Sequence, residues 1–413
     1  MRYVRWVALI VFAFAAGAAY VQFLTTHPLQ ISLYLSVTFV ALFAAIVVIA
    51  RYIPASRRVV ALMIALVAYA GGWYVMTDSV LSRHDYRPVP ELTRQPDDPG
   101  DGHTAVIYLT HGEPPVYDPI SWVNQMNEFD EQGIDFVPFM ARPFFFKTLR
   151  DNYLRVGKSE HRQKHIAMLQ SLEETYRRAG DTDTKFYLSF LDDNPRVSAA
   201  VIKALNDGAS RLVVMEVFVT ISSHTAEGEH QIREMNPEAY GVELVFAGPL
   251  WDSETMHQMF VERVEANLDG ADRADVGILL VAHGQPAEWD ELWPLQTEHE
   301  MEFGKRILDR FEAAGYSRDK LGKAWMSFKS PKPAEVVERI RANGAEKLFF
   351  FSYTIAAAGM HSQYDIPALV YEADVPDDFP MVDLGAWGND PVAIQAVKNK
   401  IDAALVSGGA ANH

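Results

Sequence analysis

A long repeat inside the chain restricts its fold more than any other feature. The stretch AAVIKALNDGASRLVVMEVFVT, from Ala199, resembles AEVVERIRANGAEKLFFFSYTI, from Ala334. Each reads as a helix with one apolar face, a Gly-Ala stop and a strand. The spacing continues, because Gly208 to Gly344 is the same interval as Trp251 to Trp387, in GPLWDSETMHQMFVERVEANL and GAWGNDPVAIQAVKNKIDAAL. Each half also opens with a strand ending in His-Gly, THGEP at Thr110 and AHGQP at Ala282. Strands alternating with helices, twice over, predict an α/β fold of two similar doubly wound parallel-sheet halves with a cleft between them.

Two histidines fall where such sheets do chemistry. In KLFFFSYTIAAAGMHSQYDIPALV, from Lys347 to Val370, an apolar run without alternation predicts a strand covered on both faces. His361 follows it, at the carboxyl end where open α/β sheets bind ligands. His283 ends a second such strand, GILLVAHGQP. A single histidine there is ordinarily a loop residue, but two on one sheet edge are a pair. Neutral imidazole ligates Fe2+, Co2+, Ni2+ and Zn2+, and near neutral pH it also accepts a proton. The first half repeats the pair as His111 and His224, the latter followed by Glu227, Glu229 and His230. These form a relic of the duplication or a possible second site.

The first eighty residues differ from the rest. Trp6–Leu24, Ile31–Ala50 and Val59–Met76 are nearly uncharged apolar stretches of membrane-crossing length. They predict a multi-pass anchor at residues 1–80 in contact with a lipid bilayer. Arg2, Arg5, Arg51, Arg57 and Arg58 flank the spans on one side, whereas Thr25–Gln30 carries no Lys or Arg. The positive-inside rule then puts the amino terminus in the cytoplasm and the soluble part outside it. Residues 81–103, rich in Pro, Asp and Gly, predict an extended solvated linker. The two halves follow as 104–270 and 271–413. The first carries about three dozen extra residues around PFMARPFFFKTLRDNYLRVGKSEH. Its Phe144, Phe145, Phe146, Lys147 and Arg150 are either a lip for a flat anionic ligand or one face of an amphipathic helix packed on its own domain.

Composition narrows the chemistry. A balance of 37 basic and 54 acidic residues, net −17, disfavours nucleic acid as a partner. The chain has no cysteine, so disulfides, thiolate zinc sites and cysteine-held iron–sulfur clusters are excluded. It has no G-x-x-x-x-G-K-[ST] either, which agrees with a chemistry that needs no nucleotide.

From about Thr104 to Leu405 the sequence resembles the class II, ATP-independent tetrapyrrole chelatases, the superfamily of ferrochelatase and of the sirohydrochlorin and anaerobic cobalt chelatases. LLVAHGQP is similar to the ferrochelatase strand ending in Ser-Ala-His-Ser/Gly-Leu-Pro, with His283 on the active-site His. AWMSFKSPKPAEVVERIRANGAEKLFFFSYTIAAAGMHSQYDI resembles the segment that follows, including a Gln-Ser-Lys-like piece at Ser327 to Lys329. GMHSQYDIP is similar to the Gly-X-His-X-X-X-Asp-Ile-Pro of sirohydrochlorin chelatases, with His361 on the second metal-site His. The resemblance implies insertion of a divalent metal substrate, Fe2+, Co2+ or Ni2+, into a tetrapyrrole. His283 and His361 would act as catalytic and metal-binding residues, with Gln285, Gln363, Tyr364, Ser327 and Lys329 near the macrocycle. One position departs from the pattern. Ferrochelatases carry a Glu two residues after the second His, and here that residue is Gln363, whose amide is no base at neutral pH. A non-catalytic tetrapyrrole or metal carrier tethered to the membrane is the alternative. A duplicated hydrolase is disfavoured by the lack of a Gly-x-Ser-x-Gly elbow.

Overall fold

The three apolar stretches become the helices α1 (Arg2–Thr25), α2 (Ile31–Val47) and α3 (Arg58–Leu81) in the computed structural model, which describes residues 2–83, 89–131, 133 and 137–408. By length and composition all three are able to cross a membrane. Helices α1 and α3 cross at Gly17 and Gly72. A Cβ on Gly72 would lie 2.0 Å from the Phe14 carbonyl oxygen, and one on Gly17 would lie 2.1 Å from that of Tyr69. Small residues at a crossing let backbones approach where apolar burial gives helices no net attraction in lipid.

The extra segment of the first half groups with these helices. It forms α4 (Pro119–Glu131) and α5 (Arg142–Val156), and Val116–Lys158 together with Met1–Arg87 make one compact unit. Val123, Met126 and Phe146 share a buried cluster with Val21, Leu24, Trp73, Val80 and Leu81. Arg150, 2% exposed, donates to the carbonyls of Phe23 at 2.6 Å and Thr26 at 3.2 Å, and the Tyr117 hydroxyl donates to Thr25 at 3.0 Å. These are carbonyls that the end of α1 leaves without intrahelical donors. Phe146 and Arg150 are therefore no ligand lip, and the amphipathic helix packs on the apolar helices rather than on its own half.

The second unit comprises Pro88–Pro115 and Ser159–His413. Its first half runs β1 (Thr104–Thr110), α6 (His161–Arg178), β2 (Lys185–Phe190), α7 (Val197–Asn206), β3 (Arg211–Glu216), α8 (Ser223–Glu234), β4 (Glu243–Phe246) and α9 (Glu254–Glu265). The second runs β5 (Val276–Ala282), α10 (Ala287–Leu292), α11 (Pro294–Ala313), β6 (Leu321–Trp325), α12 (Pro333–Ala342), β7 (Lys347–Phe351), α13 (Ile366–Tyr371), β8 (Met381–Gly385) and α14 (Pro391–Gly408). Each half folds into one parallel sheet, and the strand orders, β2-β1-β3-β4 and β6-β5-β7-β8, are the same permutation. Every residue of β5 is buried, as a strand covered on both faces requires. The helices supply the cover: Pro333, Val336, Val337 and Ile340 recur along one face of α12. One cluster, including Val106, Tyr108, Met168 and Leu172 of the first half and Ile278, Phe349, Trp387 and Ile401 of the second, joins both sheets in a single core.

The linker departs from its expected form. Residues 84–88 lie outside the described residues, but from Val89 onward the segment is docked on the second unit. Leu92 packs against the core of the first half, and Arg94, 6% exposed, donates to the carbonyls of Leu205, Ala209 and Asp98. Thr93 and Arg94 also donate backbone N–H groups to Asn206 Oδ1, at 2.8 and 3.2 Å. Carbonyls at and just beyond the end of α7 take up an arginine that composition alone assigns to solvent.

Candidate functional site

Each His-Gly motif is made by its glycine. Gly112 and Gly284 have φ of 103° and 81°, and a Cβ would lie 2.8 Å from Asp193 N and 2.5 Å from Ser327 O. No side chain fits there without strain, so the chain turns off the sheet with the histidine at its edge. The turn is tied down by the neighbouring strand. Met326 N–H bonds to Ala282 O at 2.8 Å and Ser327 N–H to His283 O at 3.1 Å, as Leu191 and Asp192 bond to Thr110 and His111 in the first half.

His283 and His361 meet at this edge. Their ring centres are 5.1 Å apart with planes at 65°. With a metal–nitrogen bond of about 2.1 Å each ring centre stands about 3.2 Å from an ion, so two imidazoles at a tetrahedral angle are about 5 Å apart. His283 Nδ1 donates to Gly284 O at 2.6 Å and His361 Nδ1 to Asp365 Oδ2 at 2.7 Å. Both contacts fix the tautomer and leave Nε2 as the ligating nitrogen. The His361 side chain is 42% exposed, so the pair opens to solvent.

The two rings differ in proton affinity. Burial, then the charge of His361, pulls His283 down to about 4, so at neutral pH it carries a lone pair. Burial also pulls His361 down, but the hydrogen bond and charge of Asp365 and the charge of Glu113 outweigh it, and its pKa lies above the ordinary 6.5. A weakly basic ring beside a more basic one is a division of labour set by environment.

The first-half pair is built likewise. His111 and His224 have ring centres 4.5 Å apart, and His111 Nδ1 donates to Gly112 O at 2.7 Å with Asp192 Oδ2 at 3.4 Å. The charge of His361 reaches His111, that of His111 reaches His283 and His224, and that of His283 reaches His224, so the four imidazoles form one electrostatic cluster. Among the described residues no three His, Asp or Glu side chains converge tightly enough to hold a metal ion. Each pair offers two nitrogens and an open coordination shell.

The other expected site residues take different places. The helical period turns Glu229 and His230 away from His224, and they pair along α8 with Arg233 at 3.5 Å and Glu234 at 3.3 Å. Glu227 accepts from Gln231 Nε2 at 2.8 Å. Gln285 is not on the open edge: it is 1% exposed, and its Nε2 donates to Asp290 Oδ1 at 2.8 Å and Trp293 O at 2.9 Å. Lys329 is ion-paired with the same Asp290. Ser327 stays beside the motif through its backbone, and Tyr364 is half-buried in the turn after His361. Gln363 accepts from Glu160 N–H at 3.1 Å, which clasps the His361 turn to the start of α6.

Two carboxyl groups escaped the sequence reading. Glu113, of THGEP, reaches the other half: its carboxylate accepts from Met360 N–H at 3.0 and 3.3 Å, and Ser159 also donates to it. Burial raises its pKa above the usual 4.5 although Ser159, His361 and His111 each lower it. A carboxylate thus stands beside His361, where the sequence has only Gln363. Glu300, on α11 and 3% exposed, accepts from Gly284 N–H, and burial pushes it up to about 8. Glu113 was legible only as the acid in one His-Gly-acid/amide-Pro motif; Glu300 gives no signal on a helix full of charges.

Two parallel sheets of the same strand order, each with a histidine pair at its carboxyl edge, make up this fold. Among solved structures the chain is similar to SirB from Bacillus subtilis with Fe3+, at TM-score 0.51 and 12% identity over 74% of this chain and 98% of that one. It is also similar to the sirohydrochlorin chelatase SirB from Bacillus subtilis subspecies spizizenii in complex with cobalt (TM-score 0.45, 11% identity, 73% and 95%). A third is a multi-domain Deinococcus radiodurans protein with structural similarity to chelatases and two additional domains (TM-score 0.43, 13% identity, 73% and 55%). No protein-family model matches the sequence, and no curated protein does.

Proposed function

We propose that the chain is a membrane-anchored chelatase that inserts Fe2+, Co2+ or Ni2+ into a tetrapyrrole without a nucleotide. The observation that carries the reading is the His283–His361 pair, two rings 5.1 Å apart with fixed tautomers, His283 the weaker base and His361 the stronger. His283 Nε2 takes the incoming ion. His361 and Glu113 receive the pyrrole protons that the ion displaces, and pass them to solvent through the exposed face of His361. The His111–His224 pair is a second place for the ion, within the same electrostatic cluster. Two imidazoles hold an ion loosely enough to surrender it to four pyrrole nitrogens.

The full chain in detergent, given sirohydrochlorin and Co2+ without ATP, is expected to shift the macrocycle absorbance with many turnovers per chain. Stoichiometric binding with no metal inserted over hours would replace the enzyme by a carrier.

The same reading puts the amino terminus in the cytoplasm and the soluble unit outside it. Arg5 donates to Tyr52 O at 2.7 Å and Arg58 to Ala50 O at 2.9 Å, which gathers the basic residues at one end of the helices. Alkaline phosphatase fused after Ser82 is expected to be active; activity only in a cytoplasmic reporter at that point reverses the topology.

A further inference from the structure

The inserted helices leave an apolar surface next to the lipid-facing side of α3. Helix α5 is two-sided: Pro143, Phe146, Arg150 and Tyr153 are buried within its unit, whereas Phe144 is 49% and Leu154 is 54% exposed, and Met140 just before the helix is 44% exposed. The Phe144 end of that outer side is continuous with aromatic rings of α3. Phe144 lies 5.2 Å from Trp73 and Phe139 lies 5.2 Å from Tyr74, itself 55% exposed, while Trp73 Nε1 donates to Met140 O at 3.2 Å. Counting from Arg58, about 20 residues at about 1.5 Å each traverse the hydrocarbon. That count ends near Asp78, the next charged residue of α3, so Trp73 and Tyr74 stand at the far boundary of the bilayer, the level that aromatic side chains favour.

We infer that the segment Phe139–Val156 lies in the bilayer interface, with Met140 and Phe144 inserted among the lipid chains beside Tyr74. Its partner is a lipid surface held by apolar contact, and anionic headgroups are not required. Lys147 is already ion-paired with Asp151, and Arg142 with Asp130, which leaves apolar area as the driving contact. The chelatase half thus carries its own interfacial anchor, inserted between β1 and α6. The inference rests on α1–α3 crossing the bilayer.

The absence of cysteine makes the test direct. Single M140C, F144C and V40C variants of the full chain carry a bimane label in phosphatidylcholine vesicles. Val40 lies in mid-α2 and is 68% exposed, so its label reports whether the spans are in lipid. The expected result is quenching at 140 and 144 by nitroxide placed near the headgroups several-fold stronger than by aqueous iodide, with the label at 40 quenched by nitroxide deep in the chains. Lipid quenching at 40 together with iodide access at 140 and 144 overturns the inference and leaves the spans intact. Iodide access at all three overturns both.

Discussion

Cobalt insertion by the full chain is expected to fall by about 10²–10⁴-fold when His283 and His361 are both replaced by alanine, the range that a positioned proton-transferring group supplies. The ion loses the imidazole pair at the edge of the second sheet, and the displaced protons lose their acceptor on His361. Each single substitution should cost nearly as much as the double, because the rings act as a unit on one ion. His283 is held near 4, so metal binding through it costs no proton above about pH 5. The check is initial rate by absorbance together with Co2+ affinity by titration. Turnover that survives the double substitution would refute the site.

The second large effect is expected from Glu113→Gln, an almost isosteric change that keeps an acceptor for Met360 N–H. Insertion at neutral pH should slow about 100-fold, since an amide cannot take the pyrrole proton. His361 provides the independent readout. Its pKa is raised, so below that value it is an imidazolium and repels the ion, and metal binding rises as pH climbs through it. Removing the Glu113 charge lowers that pKa, so in E113Q the rise in Co2+ binding moves to lower pH while insertion slows. A damaged fold would weaken both. The ring-proton resonances of His361 followed against pH supply the measurement, and an unmoved His361 titration would sink the assigned role.

The sequence carried much of the frame because the information was local or periodic. Unbroken apolar runs predict covered parallel strands, and β1, β3, β5 and β7 are such strands. Glycine after histidine predicts a turn off a sheet edge, and both motifs make it. By contrast, Gln285 and Lys329 read as cleft residues because they sit near motif positions. Their direction was decided by Asp290, whose carboxylate binds both and holds them under the start of α10. The linker that holds Arg94 read as solvated and Arg150 as a possible ligand contact, yet each arginine found backbone carbonyls near a helix end, a partner that no composition rule anticipates.

The chain's own residue order determined the strands, the two His-Gly turns and the three apolar helices, since each follows from neighbours within a few positions. Tertiary structure alone decided that Glu113 would stand beside His361, that Gln363 would clasp α6, and that the inserted helix would close on α1 and α3. Met360 lies 247 positions from Glu113, and only the packing of the two sheets around a shared core brings them to hydrogen-bonding distance. Proton affinity at the site is set by that approach, because a charge acts on an imidazole through distance and burial and not through sequence separation.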